Sequence, residues 1–252
     1  MFAREERDRV RQYILDMARN DPRVIGGAET GSMAVDGQDA WSDLDLAFGL
    51  VEDAGLEDVL ADWTKVLDRD LGVVHYWDLQ AGPRLFRVFL FPNAVEVDVS
   101  VMPEEHFGSR GPSFRTLFGE ARRFDPPPSP DPRFLVGLCW HHVAHARSSI
   151  ERAKPWRAEY WISALRDHTL ELICLRMGEK TAEARGFDSL PSTITSPFAE
   201  ALVRSPDADE LRRALAAATS CFLTELELWD RELWMSLSPI VRKFGGLSVT
   251  PL

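Results

Sequence analysis

Cysteine is scarce: three residues in 252, Cys139, Cys174 and Cys221, far apart and odd in number. That excludes a fully paired disulfide framework and matches no metal-ligand spacing. They read as buried thiols of a protein kept in a reducing cytoplasm. Long apolar runs are missing too. No stretch approaches the roughly 18 residues that a membrane span needs, and the opening MFAREERDRV is too charged for a secretory signal. A cytoplasmic protein with no membrane partner is expected. Basic charge is in deficit, with 29 Lys and Arg against 40 Asp and Glu, a net −11. The deficit sits in the first half: up to Asp125 there are 14 basic and 24 acidic residues (−10), and beyond it 15 and 16 (−1). Phosphate backbones bind basic surface, so a nucleic acid is an unexpected bulk partner. The imbalance favours cations, either metal ions or a polycationic small molecule, although acidic surface also serves simply to keep a protein soluble.

Residues 3–20 carry Val10, Ile14 and Met17 at helical spacing among charges, which predicts an amphipathic helix ended by Asp21-Pro22. A short strand, 23–26, leads into Gly31-Ser32, with a helix expected to open at Ser32. Asp43–Leu50 reads as a strand. Leu56, Val59, Leu60, Trp63, Val66 and Leu67 form a helical stripe up to Leu71, and strand-like runs follow at 73–79, 85–91 and 95–102. This mixture predicts an α+β domain with a small mixed sheet over residues 1–124. The run DPPPSPDP, 125–132, has five prolines in eight residues and reads as a linker. Helical patterns at 133–151, 155–178, 197–219 and 221–236 then predict an all-α bundle over 133–252.

The chemistry concentrates in TGSMAVDGQDAWSDLDL, residues 30–46. Asp43 and Asp45 are two apart, so on a strand they share a face at about 6.5–7 Å. In VEVDVSV, Val95, Val97, Val99 and Val101 alternate with Glu96, Asp98 and Ser100. Such a strand buries its valines and presents Glu96 and Asp98 together. Beside the strand of Asp43 and Asp45, these carboxylates would converge, and a hard cation such as Mg²⁺ would offset their repulsion. Gly31-Ser32 offers the phosphate half: a glycine that lets the backbone approach an anion, a helix start aimed at it, and a hydroxyl. Gly26-Gly27 would ease the same approach. Taken singly, each piece is ordinary, a solvated strand edge or a turn. Their order along one chain is what points to a site.

Gly31-Ser32, Ser42-Asp43-Leu44-Asp45 and Asp98 together resemble the pattern of the nucleotidyltransferase superfamily: Gly-Ser, then Asp-x-Asp, then a third carboxylate on a neighbouring strand. Within it, the chain looks most like the antibiotic nucleotidyltransferases, the aminoglycoside adenylyltransferases in particular, which also join a small mixed-sheet domain to a helical bundle. The motif likeness covers about residues 24–102; in the second half it is architectural only. The resemblance implies transfer of a nucleoside monophosphate, expected to be AMP from ATP, to a hydroxyl of a small acceptor. Asp43, Asp45 and Asp98 would hold Mg²⁺, expected as two ions. Gly31 and Ser32 would position the outer phosphates. Asp98, as base or third metal ligand, comes first for proton removal and Glu96 second.

The helical half contributes weaker candidates. Lys154, one of four lysines, would supply a cation for the triphosphate. His141 and His145 lie one helical turn apart but lack the Glu of HExxH and a third ligand. They read as satisfied helix histidines or as cleft-lining contacts. Asp167 and Glu171 share a helical face and read either as solvated or as a site for ammonium groups. Trp156 and Trp161 read as packing residues. Two other readings stay open: a toxin-like enzyme acting on a protein or tRNA, which the basic cluster Arg110, Arg115, Arg122 and Arg123 would favour, and a nucleotide-binding module without turnover. Monomer and homodimer are both compatible with the sequence.

Overall fold

A computed structural model describes residues 4–35, 39 and 41–248. The chain divides into two compact units, Met1–Pro127 and Pro128–Leu252. Among the described residues no helix is long and apolar enough to cross a membrane.

The first unit is α+β. Helix α1 (Arg4–Asn20) leads into β1 (Val24–Thr30) and β2 (Leu44–Leu50), and α2 (Leu56–Leu71) follows. Then come β3 (His75–Ala81), β4 (Arg84–Leu90), β5 (Glu96–Pro103), the two-residue β6 (Gly108–Ser109), β7 (Phe114–Gly119) and the two-residue β8 (Arg122–Arg123). Six strands form one mixed sheet in the order β3-β4-β5-β2-β1-β7, with β2 and β5 parallel and the other pairs antiparallel. Period-2 alternation divides its faces. Leu44, Leu46, Phe48, Val97, Val99, Val101, Leu85 and Phe89 point to one side and bury against Val10, Ile14 and Leu15 of α1 and Val59, Leu60, Trp63 and Leu67 of α2. On the other side, Ala28, Ala47 and Met102 pack under Phe107 and Phe114. The stretch of that face carrying Asp45 and Asp98 lies beyond this smaller cluster.

Glu29 of β1 points into the helix-covered side and has no exposure to solvent. Arg11 of α1 pairs with it, and Arg115, its cross-strand neighbour on β7, donates to it at 2.6 Å. One carboxylate thus ties α1, β1 and β7 together. Of the basic cluster Arg110, Arg115, Arg122 and Arg123, Arg115 is thus engaged by a buried carboxylate.

The second unit is all-α: α3 (Pro132–Glu151), α4 (Pro155–Met177), the single turn α5 (Ser192–Thr195), α6 (Ala208–Trp229) and α7 (Arg231–Gly245). Asp131 caps α3 by accepting from the Arg133 amide, with Pro132 opening the helix. Glu225 of α6, 3% exposed, accepts two bonds from Arg176 of α4, at 2.6 and 2.8 Å.

The predicted boundaries fail in three places. The helices expected at 197–219 and 221–236 are α6 and α7, which break at Asp230 rather than at 220. Nothing between 208 and 229 interrupts the backbone ladder, whereas the Asp230 side chain accepts from the Leu233 amide and starts a new helix. Before Ala208, residues Ser196–Ala201 form only a 3-10 turn. No α-helix opens at Ser32: Met33–Val35 is one turn of 3-10 helix. Instead, β1 runs on to Thr30, past the expected end at 26.

Removal of one partner from a buried ion pair costs about 3–5 kcal/mol. Glu29→Ala should therefore speed hydrogen exchange at the β1 and β7 amides, while amides of α3 and α4 keep their protection. Exchange mass spectrometry reads both units in one experiment.

Candidate functional site

The parallel register sets Asp45 directly beside Asp98, with Leu44 opposite Val97 and Leu46 opposite Val99. The apolar neighbours turn to the helices, so both carboxylates turn to the other face. Asp43 precedes the first residue of β2 by one position and is exposed, not part of the strand as expected. It still joins the group: one carboxylate oxygen from each of Asp43, Asp45 and Asp98 lies within 4.8 Å of the others. Glu96, at the start of β5, is exposed and stands outside this trio.

The cluster is electrostatically expensive. Burial first, then the charges of Asp43 and Glu96, push the Asp98 carboxyl up to about 6. Its Oδ1 is buried with no hydrogen-bond partner, a costly state for a carboxylate oxygen. A divalent cation held by oxygen ligands would offset both penalties, and three converging carboxylates are the donor set that Mg²⁺ or Mn²⁺ accepts. The residues present fit such an ion.

Gly31 sits tightly against Asp45. It has φ of +65°, and a Cβ there would lie 2.0 Å from the Asp45 Oδ2. The close approach that requires glycine here is to the Asp45 carboxylate. Ser32 Oγ next to it is buried without a partner. The expected helix N-terminus aimed at phosphate is missing among the described residues, because the 3-10 turn at Met33–Val35 is too short to supply one. Gly26 and Gly27 make room for aromatic rings. Side chains there would meet the rings of Phe107 and Phe118 at 2.6 and 2.4 Å, so these glycines serve packing.

Arg7 is the residue that sequence reasoning missed. It is 3% exposed on α1, and its Nη1 donates to the carbonyls of Asp39 and Ser42, at 2.8 and 2.9 Å. It thereby pins the segment that delivers Asp43, and with Trp41, Ser42, Asp43, Ala94, Val95 and Glu96 it lines an open cavity. A signal existed: Arg7 stands three residues before Val10, on the apolar stripe of α1, where an arginine needs a buried acceptor.

In the second unit, Lys154 is exposed just ahead of α4. The rings of His141 and His145 lie 4.1 Å apart, and both pack against Trp161. His142 is buried and its pKa is lowered to about 4, by burial and then by His168, His141 and His145. Among the described residues, no third ligand atom converges with the histidines as the three carboxylates converge. Asp167 pairs with Arg166, and Glu171 contacts the His168 ring at 3.0 Å, so both carboxylates already have partners within the helix. Trp156, expected to pack, is exposed.

No protein-family model matches the sequence, and no curated protein matches it. Among solved structures, the chain is similar to an aminoglycoside 6-adenyltransferase from Bacillus subtilis, at 13% identity and a TM-score of 0.37, over 94% of this chain and 90% of that one. At that identity and overlap, the functional reading falls to the residues themselves.

A carboxyl whose folded pKa lies above its unfolded one favours folding at low pH and loses that contribution as pH rises through the folded value. Metal-free Asp98→Asn should therefore melt above the wild type at pH 8, by about 2–4 °C for each kcal/mol recovered. The gap should close near pH 4, and the rise in Tm that Mg²⁺ or Mn²⁺ gives the wild type should vanish. Gly31→Ala should weaken the same metal response at least tenfold in concentration, because its Cβ displaces the Asp45 carboxylate. Calorimetric scans against metal concentration and pH check both.

Proposed function

We propose that this protein is a divalent-metal-dependent nucleotidyltransferase that moves a nucleoside monophosphate, AMP from ATP in the first instance, to a hydroxyl of a small cationic acceptor such as an aminoglycoside. The observation that carries this reading is the convergence of Asp43, Asp45 and Asp98 within 4.8 Å, with the buried Asp98 Oδ1 lacking a partner. Three carboxylates arranged so need a counter-charge, and a metal–triphosphate complex brings one.

Asp43, Asp45 and Asp98 would hold the cation. Bound there, it neutralises charge on the triphosphate and stabilises the departing pyrophosphate. The Ser32 hydroxyl donates to a phosphate oxygen, which satisfies a group otherwise buried without a partner. The acceptor hydroxyl oxygen attacks the α-phosphorus in line, the bond to the bridging oxygen breaks, and pyrophosphate leaves with that electron pair. The hydroxyl proton passes to a carboxylate, and Asp98, part-buried and with an unpartnered oxygen, is assigned this step. Glu96, exposed at the rim and outside the trio, attracts the acceptor's ammonium groups. An antibiotic acceptor would make the protein a resistance enzyme.

Incubation with Mg²⁺, each of the four NTPs and a panel of aminoglycosides and lincosamides, read by mass spectrometry, tests the proposal. The expected product is an acceptor heavier by one nucleoside monophosphate, formed at least 1,000-fold more slowly by Asp45→Asn. Intact Mg-ATP binding with no product from any acceptor would overturn it.

A further inference from the structure

The face that carries the carboxylates continues across two more strands. Asp98 pairs laterally with Val88 on β4, and Val88 with Trp77 on β3. Side chains matched across a sheet share a face, so Asp45, Asp98, Val88 and Trp77 form one row. Flanking rows repeat the pattern: Ser100, Phe86 and Leu79 on one side, and Glu96, Leu90 and His75 on the other. The sheet therefore changes character within two strand spacings, about 10 Å, from converging acids to an apolar strip. The strip opens to solvent at Trp77, Leu79 and Leu90, whereas Val88 between them and Asp98 is buried, at 9%. Trp77 is 50% exposed, Leu79 49% and Leu90 40%.

The other face of the same strand explains why Trp77 is not simply the spare side of a core strand. There Asp78 pairs with Arg87, and the Tyr76 ring stacks on the Arg87 guanidinium at 4.5 Å. Polar chemistry occupies the helix-covered side of this strand, and the large apolar residues face outward, toward the carboxylates. That inverts the usual arrangement of an edge strand.

Direction across the sheet assigns the strip a ligand. Gly31 and Ser32 follow β1, on the far side of β2 from β5. A triphosphate held by Ser32 lies on that side, and the attacking hydroxyl must approach from the opposite one, over β5 and β4. From this, and resting on the nucleotidyltransferase reading above, we infer that the exposed Trp77, Leu79 and Leu90 form the acceptor platform, with the buried Val88 beneath them. The acceptor is then an amphipathic amino glycoside. Its protonated amine sits by Glu96, and an apolar face about 10 Å from the reacting hydroxyl covers Trp77. A polycation with no apolar portion would strand its charges on this strip, so it is the poorer fit.

Lincomycin, an amine with a glycoside at one end and an alkyl-substituted ring at the other, and kanamycin, a polycation without an apolar portion, separate the possibilities. Calorimetry on the full chain without nucleotide should show lincomycin binding at least tenfold tighter than kanamycin. Trp77→Ala should lose that binding at least tenfold, and Trp77→Phe, which keeps a flat ring, should largely retain it. Mg-ATP binding should be the same in all three proteins. With Mg-ATP added, the KM for lincomycin should rise in Trp77→Ala with kcat little changed. Adduct formation with an unaltered KM in Trp77→Ala would overturn the platform and leave the nucleotidyltransferase reading intact. Trp77-dependent binding with no adduct would do the reverse. Failure of both compounds to bind, preference for kanamycin, or a dimer in sedimentation that Trp77→Ala dissociates would each overturn the platform; the last would assign the face to a second copy of the chain.

Discussion

The parallel pairing of β2 with β5 is the constraint on which the first unit depends. It aligns Leu44, Leu46 and Phe48 with Val97, Val99 and Val101 on the helix-covered side, and the same register brings Asp45 beside Asp98 on the other. A shift of one residue would turn the valines outward and the acids into the core. The apolar face therefore enforces a contact that the acidic face resists. Burial of ten or more large side chains against α1 and α2 outweighs one strained carboxyl, so the repulsion is stored at the site rather than relieved by a different pairing.

Support for this stored repulsion comes from residues with no evident chemistry of their own. Gly31 leaves the space that the Asp45 carboxylate fills, and Arg7 ties down the carbonyls just ahead of Asp43. Both act on geometry, at the two points where an acidic side chain would otherwise swing away from its neighbours. The second unit shows the opposite economy. Its buried acid, Glu225, is fully matched by Arg176 across α4 and α6, and its core is conventional, with Leu, Ile and Ala facing inward from four helices.

Much of this is legible in the sequence. The alternation in VEVDVSV specified β5 and both its faces, since period-2 patterning is set by backbone geometry alone. The stripes in α1 and α2 were equally plain, whereas the adjacency of Asp45 and Asp98 was a condition of the reading, met by the pairing of β2 with β5. Contacts at long range were less visible. Strand β7, FRTLFG, has no clean alternation and is recruited by pairing with β1 some 86 residues away, through Arg115 and Glu29. The roles of Gly31 and Arg7 are of the same kind: each is defined by a partner distant in sequence. The division between α6 and α7 escaped for a local reason, because a capping aspartate breaks a helix without the proline or glycine that marks most ends.

The buried Glu29 also imposes an order of assembly. Its two arginines arrive from opposite ends of the unit, Arg11 from the first helix and Arg115 from the last long strand. A nascent chain that has emerged only as far as β5 already has α1, α2 and five strands of the sheet, but it must hold this carboxylate with one cation and an open sheet edge. Water can leave the site only after β7 docks. The closing of the sheet and the neutralisation of its deepest charge are therefore one event, so a partly synthesised unit should stay loose along β1 until the chain has passed residue 119.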